Sequence, residues 1–289
     1  MSQFRRLVAH NITACPGGFI AVSDTPTISS LQNPSIRYVV RLRDNRYRQR
    51  EGVVVVDGVK EIERAIDSGL SLQSVFIGET EHAASRALIQ RCPDALVRVS
   101  ENVLQKIAFG QHHRDAVALF DAPTWSLHQL KLPESPLIVV LDAIEKPGNV
   151  GAVFRSADAI GADAIVVSDG ICDLFNPSVI RASLGTVFSV PCAQADRQRT
   201  ILWLAEHGIK VITARVDAST LYWDVDYRQG IAIVVGSEAH GLGERWRPNS
   251  VTVENQPLDV RIPMAGAADS LNASVAAALL MFEARRQRG

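Results

Sequence analysis

Apolar runs alternate with amphipathic stretches along most of the chain, and this pattern predicts two successive α/β units. Strands are predicted at 52–56, 72–77, 95–99 and 116–120, then at 137–141, 164–167, 210–214, 230–235 and 260–262. Helices are predicted at 35–50, 60–68, 81–90 and 101–109, then at 148–161, 180–184, 199–207 and 274–286. The run GVVVV at 52–56 is rich in β-branched residues, which is typical of a strand that is buried on both faces.

Changes in this pattern divide the chain into four segments. Residues 1–27 are punctuated by Pro and Gly and are predicted to form a surface extension. Residues 28–125 are predicted to form the first α/β domain. Residues 126–136 are Pro-rich without a clear period and are interpreted as a linker, or alternatively as a loop inside one larger domain. Residues 137–289 form the second predicted domain.

Composition narrows the class of protein. The 289 residues are 47% hydrophobic and 21% charged with a net charge of −1. This composition excludes a polybasic protein, but it does not exclude nucleic-acid binding through a local basic patch. The four cysteines lack CxxC spacing and nearby His pairs, which argues against zinc and favours reduced thiols. Without a signal peptide or a membrane-length apolar run, we expect a soluble cytoplasmic protein with no membrane partner.

Three polar segments follow strands in the second half, at 149–155 (NVGAVFR), 236–241 (GSEAHG) and 262–274 (IPMAGAADSLNAS). Ligands of open α/β sheets bind outside the carboxyl ends of strands, so we expect the three segments to form one pocket. The phosphate-binding GxxxxGK[ST], dinucleotide-binding GxGxxG and hydrolase GxSxG patterns are all absent.

The three segments, read as GNVGAVFRSADAIGAD, IVVGSEAHGL and VRIPMAGAADSLNASVAAA, resemble the motifs of the TrmH/SpoU branch of the SPOUT methyltransferases. The resemblance is strong over 137–289. It is weaker over 28–125, where NPSIRYVVRLRDNRYRQREGVVVVDG resembles a small RNA-binding domain related to a ribosomal-protein fold. It implies a C-terminal α/β domain with a parallel sheet and a deep trefoil knot, and a smaller N-terminal α/β domain.

The resemblance also implies an activity. S-adenosylmethionine would be the cofactor, a ribose 2′-OH of RNA the methyl acceptor, and the protein a homodimer whose sites are completed by both subunits. Separately, the spacing of Cys and His predicts no metal. We favour rRNA over tRNA as substrate. The alternatives are a tRNA methyltransferase, a non-catalytic RNA-binding or ribosome-assembly protein, and a methyltransferase acting on protein or a small molecule.

Five positions are expected to hold the cofactor by this resemblance. At Gly236 a Cβ would block the approach of backbone to adenosine, although an ordinary turn glycine is the alternative. The five positions are Leu141, Gly236, Ile262, Met264 and Leu271.

Five more positions are assigned to catalysis, namely Asn149, Arg155, Glu238, Ser270 and Asn272. Asn149 is expected at a helix N-terminus, which attracts anions. Arg155 lies among apolar helix positions and needs a partner, which could instead be Asp158 or Asp163. Because a guanidinium is a poor proton acceptor, we assign Arg155 to phosphate or the developing alkoxide, with Glu238, a phosphate or water accepting the proton.

The last two of these positions have a second interpretation. Ser270 and Asn272 could hydrogen-bond ribose or cofactor, or could simply cap the following helix, for which Asp269 or Ser270 is the predicted cap.

RNA contacts are predicted in the basic segment 37–50, where two tyrosines lie between arginines. Basic and aromatic side chains together suit phosphate attraction and base stacking, whereas a solvated helix face is the alternative. The predicted RNA-binding residues are Arg37, Arg41, Arg43, Arg46 and Arg48, with Arg181 as a further phosphate anchor.

Overall fold

The computed structural model describes residues 26–80, 82–109, 115–170, 172–237, 241–246 and 256–289. The chain divides into two compact units between Pro123 and Thr124. All but the last two residues of the predicted extension 1–27 lie outside the described residues. The predicted linker 126–136 belongs to the second unit, where Leu127 is buried in the hydrophobic core.

The first unit contains five helices and four strands among its described residues. The helices are α1 Pro34–Arg41, α2 Asn45–Glu51, α3 Val59–Asp67, α4 Ala83–Arg91 and α5 Glu101–Ile107. The strands are β1 Val53–Asp57, β2 Leu72–Ile77, β3 Leu96–Arg98 and β4 Ala116–Asp121. They form a sheet in the order β1-β4-β2-β3, in which β4 is antiparallel to both neighbours and β2 is parallel to β3.

The prediction of one helix over 35–50 is wrong, because α1 and α2 are separate helices. Asp44 interrupts the segment by capping α2, and its side chain accepts a hydrogen bond from the Tyr47 backbone N–H at 2.8 Å. Such a cap satisfies an N–H group that would otherwise lack an acceptor at a helix start.

The second unit contains four helices and seven strands among its described residues. The helices are α6 Pro147–Ile160, α7 Pro177–Ala182, α8 Arg197–Glu206 and α9 Ala273–Arg288. The strands are β5 Leu137–Asp142, β6 Ala164–Ser168, β7 Cys192–Ala195, β8 Lys210–Ala214, β9 Thr220–Leu221, β10 Ile231–Val235 and β11 Leu258–Arg261. The sequence pattern did not predict β7 or β9, which are short and carry few large apolar residues.

All strand pairs of the second sheet are parallel, in the order β7-β6-β5-β10-β8-β11-β9. The carboxyl ends of these strands therefore lie along one edge, as the segment order predicted. The trefoil knot stays a prediction, because residues 238–240 and 247–255 lie outside the described part of the chain.

Helix α9 begins one residue earlier than predicted and is capped by Asn272 rather than by Asp269 or Ser270. Its buried side consists of Ala277, Leu280, Met281 and Ala284. Val275, Leu279 and Phe282 lie on another side of the helix and are 46%, 37% and 54% exposed. Helix α9 is therefore apolar on two sides, and one of them faces away from the unit.

Within the described ranges, no helix combines the length and apolarity needed to cross a membrane.

Candidate active site

A cavity of 560 Å³ opens where β8, β10 and β11 end. Its lining includes Gly236 after β10, Ile262 and Met264 after β11, and Ser270 and Leu271 just before α9. The second and third polar segments thus converge on one cavity, as predicted. The volume is typical of small-molecule sites, and most of the lining is apolar with a few polar groups.

Gly236 is needed for the close packing of its own loop. A Cβ at this position would collide with the backbone of Gly241 and lie 2.7 Å from the Leu242 backbone nitrogen. The Gly241 N–H donates to the Ser237 carbonyl at 2.9 Å, which closes the turn, and Gly241 adopts a φ of 59°. The glycine therefore lets the turn fold back onto the cavity wall, which is a different close approach from the predicted one to adenosine.

Leu141 does not line this cavity among the described residues. It is fully buried near the end of β5, where it pairs with Val235 of the neighbouring strand β10. Leu141 therefore supports the strand that carries Gly236.

The first polar segment meets the third through two asparagines. The Asn272 side-chain amide donates from Nδ2 to Asn149 Oδ1 at 3.1 Å. Asn272 also accepts at Oδ1 from the Ser274 backbone N–H at 2.9 Å and from its hydroxyl at 2.7 Å. Because its oxygen is engaged by the cap, Asn272 must present its N–H₂ group to Asn149, which fixes the orientation of both amides.

Asn149 lies in the first turn of α6, as predicted, and close helix packing fixes this helix. Gly151 makes the packing possible, since a Cβ there would lie 2.6 Å from Ala182 Cβ and 2.7 Å from the Val179 carbonyl oxygen of α7. Helix α6 therefore presents Asn149 from a rigid support.

Arg155 is exposed on α6, while Val153 and Phe154 beside it are buried. It therefore points away from the apolar side on which the sequence placed it. Within the described part of the chain, no ion pair joins it to Asp158 or Asp163. Asp158 instead accepts from Ser189 Oγ and Asp163 from the Leu137 backbone N–H. Glu238 lies outside the described residues.

Sequence reasoning missed a buried charge cluster at the carboxyl end of β5. Asp142 is 1% exposed and accepts from Arg197 Nε at 2.9 Å, from Arg197 Nη2 at 2.9 Å and from Ser168 Oγ at 2.9 Å. The hydrogen bond to Asp142 raises the pKa of Arg197 above its usual value. The sequence signal for this cluster was the carboxylate of Asp142 at the end of the apolar run LIVVLD. A carboxylate that is buried with its strand requires a hydrogen-bonding or charged partner.

The predicted RNA-binding arginines fall into two groups. Arg37, Arg41, Arg43 and Arg46 are exposed. Arg48 is 4% exposed, and its Nη1 donates to the Leu42 and Arg43 carbonyls, both at 2.9 Å. Arg43 donates from Nη2 to the Lys106 and Ala108 carbonyls at 2.6 and 2.9 Å.

The remaining predicted RNA contacts also differ in exposure. Tyr38 is buried in the first core, whereas Tyr47 is half-buried with the Arg50 guanidinium 4.7 Å from its ring centroid. Arg181 is half-buried in the short helix α7 of the second unit.

No group of three or more His, Cys, Asp or Glu side chains suited to a metal ion occurs among the residues that the structure describes.

Fold and site together define a two-unit α/β protein with a ligand cavity at the carboxyl edge of a parallel sheet. Residues 136–282 match the profile of the SpoU rRNA Methylase family, and residues 33–118 match that of the MRM3-like substrate binding domain. The chain belongs to the SpoU rRNA methylase family.

Known relatives resemble the chain over nearly all of its length. The 23S rRNA (uridine(2479)-2'-O)-methyltransferase of Streptomyces viridochromogenes is 29% identical over 258 residues, which cover 86% of this chain and 87% of the relative. The crystal structure of an RNA 2'-O ribose methyltransferase is 38% identical with a TM-score of 0.79, covering 91% and 99% of the two chains. The SpoU methyltransferase AviRb of Streptomyces viridochromogenes, crystallised with AdoMet, has 27% identity and a TM-score of 0.80, with coverages of 89% and 99%.

Proposed function

We propose that the protein transfers a methyl group from S-adenosylmethionine to a ribose 2′-OH of rRNA in the cytoplasm. The single observation that carries this proposal is the meeting of all three polar segments at the carboxyl edge of the second sheet. Two of them line the cavity, and the Asn149–Asn272 hydrogen bond joins the first segment to the third. The names of the 23S rRNA methyltransferase and of the AdoMet complex among the relatives support the same activity.

The cavity suits the cofactor. Apolar walls from Val235, Ile262 and Leu271 offer a surface for the adenine ring, and Ser270 offers a hydroxyl. When bound, the cofactor supplies an electrophilic methyl group on a sulfonium. The role of this chain is to hold that methyl group in line with the ribose oxygen, because such alignment lowers the barrier of a displacement.

The polar residues beside the cavity have the chemistry needed to bind the methyl acceptor, which is the ribose of the RNA. We assign Asn149 and Asn272 to hydrogen bonds with the ribose or cofactor, and Arg155 to the phosphate or the developing alkoxide. In such a transfer from the sulfonium to the ribose oxygen, the 2′-hydroxyl would lose its proton to Glu238, a substrate phosphate or water.

We further propose that the protein is a homodimer that forms through the exposed side of α9. The apolar side chains of Val275, Leu279 and Phe282 follow one another at helical spacing on this side. An exposed apolar stripe of this kind is typical of protein interfaces. The exposed Arg155 would then serve a site shared by two subunits.

The first unit would bring the RNA to this site. Its exposed arginines Arg37, Arg41 and Arg46 lie on α1 and α2, and we assign them to phosphate contacts.

The test is a methylation assay with purified protein, radiolabelled S-adenosylmethionine and ribosomal RNA, followed by mapping of 2′-O-methyl sites. We expect one RNA position to gain a methyl group at a rate that depends on Arg155. If the protein binds RNA but neither binds the cofactor at millimolar concentration nor methylates any RNA, it is a non-catalytic RNA-binding member of the family.

A further inference from the structure

Arg215 lies at the carboxyl end of β8, and its side chain connects three parts of the cavity wall. Its Nε atom donates to Asp259 Oδ1 of β11 at 3.1 Å, and its Nη2 atom donates to the Gly243 carbonyl oxygen at 2.8 Å. Arg215, Gly243 and the adjoining Val260 all line the cavity. One guanidinium therefore joins the ends of β8 and β11 to the turn that follows β10.

The partners of Arg215 are themselves held in place. Asp259 pairs in register with Thr213 of β8 and accepts a hydrogen bond from the Thr213 hydroxyl at the same Oδ1 atom. The Arg215 backbone N–H donates to the Val260 carbonyl at 2.8 Å, which extends the ladder between these strands. The paired strands β8 and β11 thus fix the backbone of Arg215 and its partner Asp259. The guanidinium also contacts a turn in which Gly241 and Gly243 adopt φ values of 59° and 58°.

The ion pair is well shielded from solvent, since the Arg215 side chain is 7% exposed and that of Asp259 is 20% exposed. Charge-assisted hydrogen bonds in such surroundings are stronger than those on an open surface. The planar fork of arginine can bind a carboxylate and a backbone carbonyl at once, whereas lysine carries one compact charge.

We propose that Arg215 is a positioning residue for the cofactor cavity: by binding Asp259 and the Gly243 carbonyl together, it holds the 241–243 turn in the conformation that receives the ligand. This inference rests on the proposed function, because the ligand of the cavity is S-adenosylmethionine only under that proposal. Arg215 acts through the turn and is not assigned a contact with the reacting atoms.

Arg288 offers a matched control at the opposite edge of the same sheet. Its guanidinium also binds backbone carbonyls, donating to Tyr227 and Ser135 at 2.8 Å each. These acceptors precede β10 and β5, far along the strands from the cavity edge. Arg288→Gln therefore removes a comparable clamp without touching the cavity wall.

The experiment compares full-length Arg215→Gln, Arg215→Lys and Arg288→Gln with the unchanged protein. Calorimetry with S-adenosylmethionine gives Kd, steady-state methylation gives KM and kcat, and hydrogen exchange of the ligand-free protein reports on residues 241–246. A cooperative thermal melting transition is required of each variant, as a control for folding.

We expect both Arg215 variants to raise the cofactor Kd and KM by about tenfold or more, as for a lost hydrogen bond to a charged group. Their kcat at saturating cofactor should stay within about twofold of the unchanged protein, and exchange at 241–246 should become faster. Arg288→Gln should lower the melting temperature without either effect.

Two outcomes would overturn the inference. One is an unchanged Kd and unchanged exchange at 241–246 in both Arg215 variants. The other is an equal loss of cofactor affinity in Arg215→Gln and Arg288→Gln, which would mean that general destabilisation is the cause. If the unchanged protein binds no cofactor, the proposed function fails, and exchange at 241–246 alone then decides whether Arg215 orders the turn.

Discussion

The cavity walls and the polar residues beside them differ in their exposure to solvent and in how many of their partners lie within the chain. The cavity walls are in place, because Gly236 and Ile262 follow strands whose positions the sheet fixes. Beside it, the Asn149–Asn272 pair is solvent-accessible and Arg155 is exposed. One side of the site is therefore formed by packing within the chain, while the other presents polar groups to whatever binds there.

This difference has a physical origin. An apolar wall is stabilised as it folds, because its side chains leave water and pack against neighbours. A polar or charged side chain that binds a phosphate or an alkoxide acquires this partner only when RNA or a second subunit binds. Variants of the first kind of residue should therefore affect cofactor affinity, and variants of the second kind should affect turnover or assembly.

The largest effect is expected from Arg155→Ala. Turnover should fall by at least about a hundredfold, as when a single donor to a developing oxyanion is removed, whereas the cofactor Kd should hardly change. Single-turnover methylation and calorimetry measure the two quantities. Arg228→Ala, which removes another exposed arginine near the opposite edge of the sheet, is the control and should leave turnover intact. Full turnover of Arg155→Ala would remove this residue from the mechanism.

The same contrast explains what could be predicted from the sequence. The end of β10 was predictable, because the long apolar run IAIVV stops there at Gly236. The strand β11 was predicted at 260–262 and is found at Leu258–Arg261, where charged residues interrupt the apolar pattern. The absence of Leu141 from the described cavity lining was not predictable, because its burial depends on packing between β5 and strands distant in sequence such as β10.

The solvent exposure of charged side chains could not be predicted from the sequence either. Arg48 lies in a basic segment like Arg46, yet the turn between α1 and α2 places the carbonyls of Leu42 and Arg43 around its guanidinium. The cap by Asp44 divided the helix on which both arginines were expected. The exposure of each arginine therefore depends on where the chain turns between α1 and α2, and the basic composition of the segment does not record that turn.

The next largest effect is expected on the dimer dissociation constant. Phe282→Glu places a charge on the exposed apolar side of α9, and we expect the dimer Kd to rise by about 30-fold or more, as for an interface hot spot. Size-exclusion chromatography with light scattering measures the mass across a dilution series. Leu202→Glu changes another exposed apolar residue, on α8, and should leave the mass unchanged. A monomeric unchanged protein that methylates RNA at full rate would refute the dimer.

The asparagine pair should show a smaller effect. Asn272→Asp keeps an oxygen for the helix cap but replaces the donor to Asn149 with an acceptor, so turnover should fall by about tenfold. Thermal stability should stay nearly constant, because Asp and Asn are comparable N-caps. Asn176→Asp makes the same change at the cap of α7 and should leave turnover intact. Unchanged turnover of Asn272→Asp would reduce the pair to helix capping.

The smallest effect concerns the exposed arginines of the first unit. Replacing Arg37, Arg41 and Arg46 together by Gln should flatten the dependence of log Kd for RNA on log salt by about 2, since each lost phosphate contact on a single strand contributes about 0.7. Titrations at several salt concentrations measure this slope. The control replaces three exposed arginines on α3 and α4, namely Arg64, Arg86 and Arg91. Equal slopes for the two triple variants would mean that charge anywhere on the unit attracts RNA, whereas a change confined to the first variant places the phosphate contacts on α1 and α2.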